Sequence, residues 1–328
     1  MLGVGGANFA MYTLWLPEQY STMCRASAFA FTTSVGRFAG AGITFLVGAG
    51  VSYFHTIGTP VALTSIAFVI GLFLLPFSEE TRGKVALFVT CYGDRNEPHL
   101  PEDLTAVFGH NGIPVKAVGK EKCCGMPKLE LGDLETVAKY KDFNIPQLKA
   151  LIDDGYDIVA PIPSCVLMFK QELPLMFPED ADVQAVKEHI FDPFEYLMLR
   201  HKAGLLRTDF TQKLGKVSYH VPCHLRVQNI GLKTRDMLKL VPETTVDVIE
   251  RCSGHNGTYA VKKEYRAASV KIGKAVVAKV AQAKADHYSS DCPMAGHQIQ
   301  SGLAPDANGL AAREPEHPMT LVRKAYGI

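Results

Sequence analysis

The 328-residue sequence contains no Cys-x2–4-Cys pair, no Cys-x2-Cys-x2-Cys run and no Gly-x-Gly-x-x-Gly loop after a strand-like segment. The first absence excludes the usual spacing of a structural zinc site, the second a ferredoxin-type ligand run, and the third a bound dinucleotide. Charge is missing from one long stretch: Arg37 is the only Lys, Arg, Asp or Glu between Ala26 and Ser78. From Glu79 onward the composition is that of a soluble protein, which puts a domain border at residues 79–84. The net charge of +1 offers no basic field, so no nucleic-acid partner is expected.

Residues 27–53 and 59–77 are each apolar over the ~20 residues that cross a bilayer as a helix. Gly36, Gly40, Gly42, Gly48 and Gly50 suit the close packing of membrane helices. Arg25 precedes the first span and Arg82 and Lys84 follow the second, whereas the turn between them carries only His55. The positive-inside rule then puts both ends in the cytoplasm. Residues 1–84 are expected to be a transmembrane α-helical segment in the inner membrane, with the rest of the chain on the cytoplasmic side. A buried helical hairpin in a soluble fold is the alternative, opposed by apolarity on all faces. Leu16-Pro17-Glu18-Gln19-Tyr20, Arg25-Ala26, Ser34-Val35-Gly36-Arg37 and Glu80-Thr81-Arg82-Gly83 resemble the C-terminal end of a major-facilitator transporter. Two helices cannot enclose a transport path, so the resemblance implies an anchor or a fusion rather than a carrier.

What is present beyond Lys84 is a repeated alternation of apolar run, cysteine and helix. Val85–Val89 reads as a buried parallel strand leading to Cys91, and a helix follows from about Pro101 with Gly112 past its end. Val115–Val118 leads to Cys123 and Cys124; a helical stretch at 145–153 and a strand at 158–160 lead to Cys165. The second copy runs from strand Val217–Val221 to Cys223, from a helix at 234–240 and strand 245–249 to Cys252, and from a long helix at 261–283 and a short polar strand near His287 to Cys292. The fold class is therefore α/β: two pseudo-repeated Rossmann-like modules, 85–215 and 216–328, the second ending in a C-terminal tail. Parallel strands with right-handed crossovers bring the residues that follow them to one carboxyl edge, where ligands bind.

Cys91, Cys123, Cys124 and Cys165 form one candidate metal or cofactor set, and Cys223, Cys252 and Cys292 a second. Adjacent thiolates converge poorly on one tetrahedral ion but suit the separated metals of a cluster. A dithiol redox pair and a zinc-stabilised scaffold are the rival readings. Cys24, beside the apolar segment, reads as an inert small residue. A Cys, then Cys-Cys-Gly, then Cys at comparable spacings resembles the cysteine-rich CCG domain found in the B subunit of heterodisulfide reductase and the C subunit of anaerobic glycerol-3-phosphate dehydrogenase. Tyr219-His220-Val221-Pro222-Cys223-His224, Arg251-Cys252-Ser253-Gly254-His255 and Asp291-Cys292-Pro293-Met294-Ala295-Gly296-His297 resemble the second of these families.

The resemblance implies an iron–sulfur cluster of the 4Fe–4S type, noncubane if complete, in the first module, and an iron–sulfur or zinc site in the second. It also implies an oxidoreductase subunit passing electrons between a flavin- or ferredoxin-type dehydrogenase partner and a quinone or thiol/disulfide acceptor. The chain departs from the family pattern at three places: Met168, Arg251 and Ala295 stand where further cysteines belong. His255, then His224, His297 and His220, are candidates to complete the second set. A transporter fragment carrying an appended cysteine-rich, zinc-binding domain is the second functional reading.

Overall fold

The structure, a computed structural model, describes residues 83–257, 259–303 and 314–328 together with positions 47, 51, 55 and 56. The transmembrane and transporter-like readings, and Cys24, therefore fall outside the described residues. Among the described residues no helix is long and apolar enough to cross a membrane. Gly83–Ile328 forms one compact unit.

The first sheet contains β1 (Val85–Leu87), β2 (Val115–Ala117), β3 (Asp157–Val159) and the two-residue β4 (Ile190–Phe191), all parallel, in the order β2-β1-β3-β4. Between them run α1 (Thr90–Arg95), α2 (His99–His110), α3 (Met126–Glu130), α4 (Leu134–Asp153), α5 (Pro163–Leu167), α6 (Leu173–Met176) and α7 (Ala181–His189). A π-helical turn, Met168–Glu172, joins α5 to α6, and α8 (Pro193–Lys202) follows β4 behind an Asp192–Glu195 capping box. The second sheet is β6-β5-β7, with β5 at Gly215–His220, β6 at Thr244–Ile249 and β7 at His287–Ser290, again all parallel. Its helices are α9 (Cys223–Arg226), α10 (Lys233–Leu238), α11 (Arg266–Ala283), α12 (Pro293–Gln300) and α13 (Pro318–Tyr326). The order β2-β1-β3 in one sheet and β6-β5-β7 in the other is the expected repeat, with β1 and β5 at the switch points.

Four local expectations change. α4 begins eleven residues before 145, because Asp133 caps it by accepting the Thr136 amide at 3.2 Å and Pro146 is carried inside the helix rather than at its start. α11 begins at Arg266; Lys263–Tyr265 before it is a single 3-10 turn. β4 completes the first sheet, although two residues leave no pattern to read. The C-terminal tail is a helix, and it belongs to the first module's core. Met319, Leu321, Val322 and Ala325 of α13 are fully buried in the hydrophobic cluster that holds Val85, Leu104 and Phe108. Asp103 on α2 accepts from Arg323 Nη1 at 2.8 Å and from the Thr320 hydroxyl, and Asn111 Nδ2 donates to the Tyr326 hydroxyl at 3.3 Å.

The segment before α13 is fastened to β7. His287 Nδ1 lies 2.5 Å from Glu316 Oε2, and Lys324 pairs with the other oxygen. Burial by itself raises the Glu316 carboxyl, but His287 and Lys324 hold it at about 2, against an ordinary 4.5. A depressed carboxyl stabilises the fold above its unfolded pKa and loses that contribution as the pH falls towards the folded value. Glu316→Gln is therefore expected to lower stability at pH 7 and to converge with the parent near pH 2, measured by urea unfolding across that range.

Candidate metal centre

Each cysteine of the first set lies just beyond a strand. Cys91 is the second residue of α1 after β1, Cys123 and Cys124 follow β2, and Cys165 sits in α5 after β3. The crossovers bring them into contact. Cys91 S–H donates to Cys123 Sγ at 3.9 Å, and Cys124 turns its thiol to both Cys123 and Cys165. Hydrogen bonds from Cys124 and Cys91 hold the Cys123 thiol down to about 3. The donors move the other way: bonding to Cys123, reinforced by burial, pushes Cys91 and Cys124 well up. A positively placed metal would take over the protons' role, since thiolate sulfur is the ligand.

The backbone carrying the paired cysteines is clamped from two sides. Asn144, buried within α4, accepts the Lys122 amide at 2.8 Å and donates to the carbonyls of Lys122 and Cys123 at 3.1 and 3.2 Å. Glu121 reaches the opposite segment, accepting the amides of Val89 at 3.0 Å and Thr90 at 2.7 Å. Thr90 is buried with φ +72°, a conformation that costs a β-branched residue of order 1–3 kcal/mol and persists only where its surroundings enforce it. Glu121 thus ties the Cys91 turn to the Cys-Cys-Gly turn. Burial, against those two amides, raises its carboxyl to about 7. Gly125 takes φ +100° to start α3, with the fully buried Met168 methyl packed over it at the distance of an ordinary Cβ contact.

The second set opens onto a cavity of about 850 Å³ lined by Cys223, Cys252 and Cys292, and by Tyr92, Met126 and Pro163 of the first module. Cys223 and Cys252 are exposed, while Cys292 is partly buried and pushed up to about 11 by burial. Among the described residues these three cysteines do not form a group that surrounds one point, and Cys292 lies near enough to Cys165 for their charges to interact. Cys252 is positioned by a backbone crossing. A Cβ on Gly254 would meet the Ser269 carbonyl oxygen at 2.2 Å, one on Gly273 would meet that of Ser253 at 2.6 Å, and the Ser269 hydroxyl donates to the Gly254 carbonyl at 2.7 Å. Cys292 follows Asp291, a buried carboxylate that accepts from the Tyr219 hydroxyl and, at 2.7 Å, from Thr234 Oγ1.

The histidines divide clearly. His220 is buried with both ring nitrogens engaged, Nδ1 at 3.0 Å from Ser290 Oγ and Nε2 at 2.9 Å from the Arg251 carbonyl, so it is structural. His297 Nε2 lies 2.9 Å from Glu97, bridging the modules at the cavity mouth. His224 and His255 both line the cavity, lowered first by burial, with His224 4.0 Å from Glu130. Arg251 is exposed and Ala295 lines the cavity beside Cys292.

Among the described residues no three His, Cys, Asp or Glu side chains surround one point as a single ion requires. A connected row of four sulfurs instead fits a cluster whose metals are spread over several ångströms, and an all-thiol donor set suits iron–sulfur chemistry. Asn144 and Glu121, which no sequence pattern singles out, hold that row in register. Asn144→Ala is expected to cost about 2 kcal/mol by orphaning buried backbone groups. Glu121→Ala should lower metal retained by the first set, and Glu121→Gln, which keeps one acceptor oxygen, should retain more; titration of bound iron per chain separates the two.

The CCG cysteine-rich domain model matches residues 85–170 and 217–300, one match to each sheet. The C subunit of anaerobic glycerol-3-phosphate dehydrogenase from Escherichia coli (strain K12) is 28% identical over 246 residues, covering 74% of this chain and 59% of that protein. Lactate utilization protein A of Bacillus pumilus is 30% identical over 190 residues, covering 55% of this chain and 75% of that protein. The B subunit of fumarate reductase (CoM/CoB) from Methanothermobacter marburgensis is 23% identical over 259 residues, 77% of this chain and 49% of that protein. The chain thus spans about three-fifths of the first relative's length and about half of the third's. Two matches in register with two parallel sheets, each with its cysteines beyond the strands, make the chain a member of the CCG cysteine-rich domain family.

Proposed function

We propose that the chain is an electron-transfer subunit of an oxidoreductase, in which Cys91, Cys123, Cys124 and Cys165 hold an iron–sulfur cluster of the four-iron type. The observation that carries this reading is the convergence of four cysteines from three separate strand ends, with Cys91 Sγ 3.9 Å from Cys123 Sγ and Cys124 interacting with both Cys123 and Cys165. Such a cluster, when bound, supplies one-electron storage between a donor and an acceptor. The chain's own residues do the rest. Asn144 and Glu121 fix the spacing of the sulfurs, Met168 covers the Cys-Cys-Gly turn from solvent, and Gly125 lets the backbone amide face Cys123. Buried thiolates and amide hydrogen bonds tune such a site's potential.

The relatives named as dehydrogenase and reductase subunits support a dehydrogenase partner; in this reading that partner is the donor and a quinone or a thiol/disulfide is the acceptor. Cys223, Cys252 and Cys292 form a second, poorer site facing the cavity, with His255 or His224 to complete it. Residues 1–84 supply the membrane attachment in this reading, with the modules on the cytoplasmic side.

Cys124→Ser removes the sulfur that touches two others. It is expected to abolish the first site's visible absorption while metal at the second site persists. Equal loss of metal from both sites would refute two separable centres.

A further inference from the structure

The 3-10 turn and Arg266, the first residue of α11, form one rim of the cavity, and the basic run that starts there continues along the exposed side of α11. Residues 262–283 carry six bases and one acid, in a chain whose net charge is only +1. Lys262, Lys263, Arg266, Lys271, Lys274 and Lys279 are all exposed. Among the described residues no ion pair is formed by any of the six, so the concentration of six bases against one acid over 22 residues is left unneutralised. Concentrated, unneutralised charge of one sign costs self-repulsion and raises the local concentration of opposite charge. The first three of these side chains also line the cavity onto which Cys252 and Cys292 open.

We infer that this basic rim is the docking surface for a small acidic redox protein that reduces the cysteine-held centre. One electron leaves the reduced carrier, which is oxidised, and enters the centre, which is reduced. The inference rests on the electron-transfer reading above. Its occupant follows from the helix's geometry as well as its charge. α11 buries only the stripe Ser269, Gly273, Val276 and Val280. At about 100° per residue the outward centre is then Lys271, Ala275, Ala278 and Gln282, all exposed. Val270 and Ile272, 49% and 48% exposed, fall on opposite flanks beside the buried stripe. A helix lying in a bilayer points its apolar face outward, and here that direction carries lysine and small residues. Small side chains between lysines instead allow close approach of a folded surface, and contacts of this charge-dominated kind govern encounter rates more than affinity.

The test uses the full chain with its bound metal and the triple variant Lys271→Glu, Lys274→Glu, Lys279→Glu, none of which lines the cavity. Two reductants are compared by stopped flow: a reduced plant-type ferredoxin, which is acidic, and reduced methyl viologen, which needs no docking. The ferredoxin-driven rate should fall by about tenfold or more in the variant and lose its salt dependence, with the viologen-driven rate unchanged. Equal ferredoxin rates in parent and variant would overturn the inference. Loss in the variant of sedimentation with phosphatidylserine–phosphatidylcholine vesicles, with the ferredoxin rate intact, would assign the rim to lipid and overturn it likewise. Failure of viologen to reduce either protein would contradict the electron-transfer reading itself, and the docking inference with it.

Discussion

The sulfur-bearing edge depends on how the backbone from Glu121 to Gly125 is held. Adjacent cysteines on a free loop would point their side chains to different places, and neither would find Cys91 or Cys165. Asn144 fixes the peptide planes at Lys122 and Cys123 through three hydrogen bonds, and Glu121 fixes the neighbouring turn through two. The consequence reaches Cys91, because Glu121 accepts the amide of Thr90, the left-handed residue just before it. A cluster site built on loops thereby acquires the rigidity of the two helices and two strands behind it.

The second half of the molecule repeats the topology with weaker means. Cys252 is placed by two glycines that let a loop and α11 touch backbone to backbone, and Cys292 by the hydroxyls of Tyr219 and Thr234 on Asp291. What differs is the sulfur count and its surroundings. Three thiols face a cavity with histidine and lysine opposite, whereas in the first set Cys124 and Cys165 are buried in the core that holds Phe88, Val137 and Met168, Cys123 is partly buried and Cys91 is exposed. The two modules share one large hydrophobic cluster, the second module has a smaller one of its own around Val276 and Ile299, and α13 returns from the second to seal the first.

Much of this arrangement was legible in the sequence. Val85–Leu87 and Ile158–Val159 are buried on both faces, so they read as short apolar runs, the second module's strand was expected at Val217–Val221, and cysteines just past such strands gather at one edge. The rest was hidden for physical reasons. Asn144 and Glu121 act by hydrogen bonds to backbone amides and carbonyls distant in sequence, which leave no periodicity. The helix expected at 145–153 in fact begins at Leu134 and carries Pro146 within, and α13 looked like a tail because its partners, Asp103 and Asn111, lie more than two hundred residues earlier. His220 stood among the candidate ligands, yet both of its ring nitrogens are engaged.

Cys91, Cys123, Cys124 and Cys165 are proposed to hold one iron–sulfur cluster. The most direct measurement is iron, zinc and acid-labile sulfide analysis of anaerobically purified protein, with electron paramagnetic resonance of the reduced form. A cluster site predicts a brown protein with iron and sulfide in about equal amounts and a paramagnetic signal on one-electron reduction. A colourless protein that holds zinc, or no metal, and gives no such signal would contradict it.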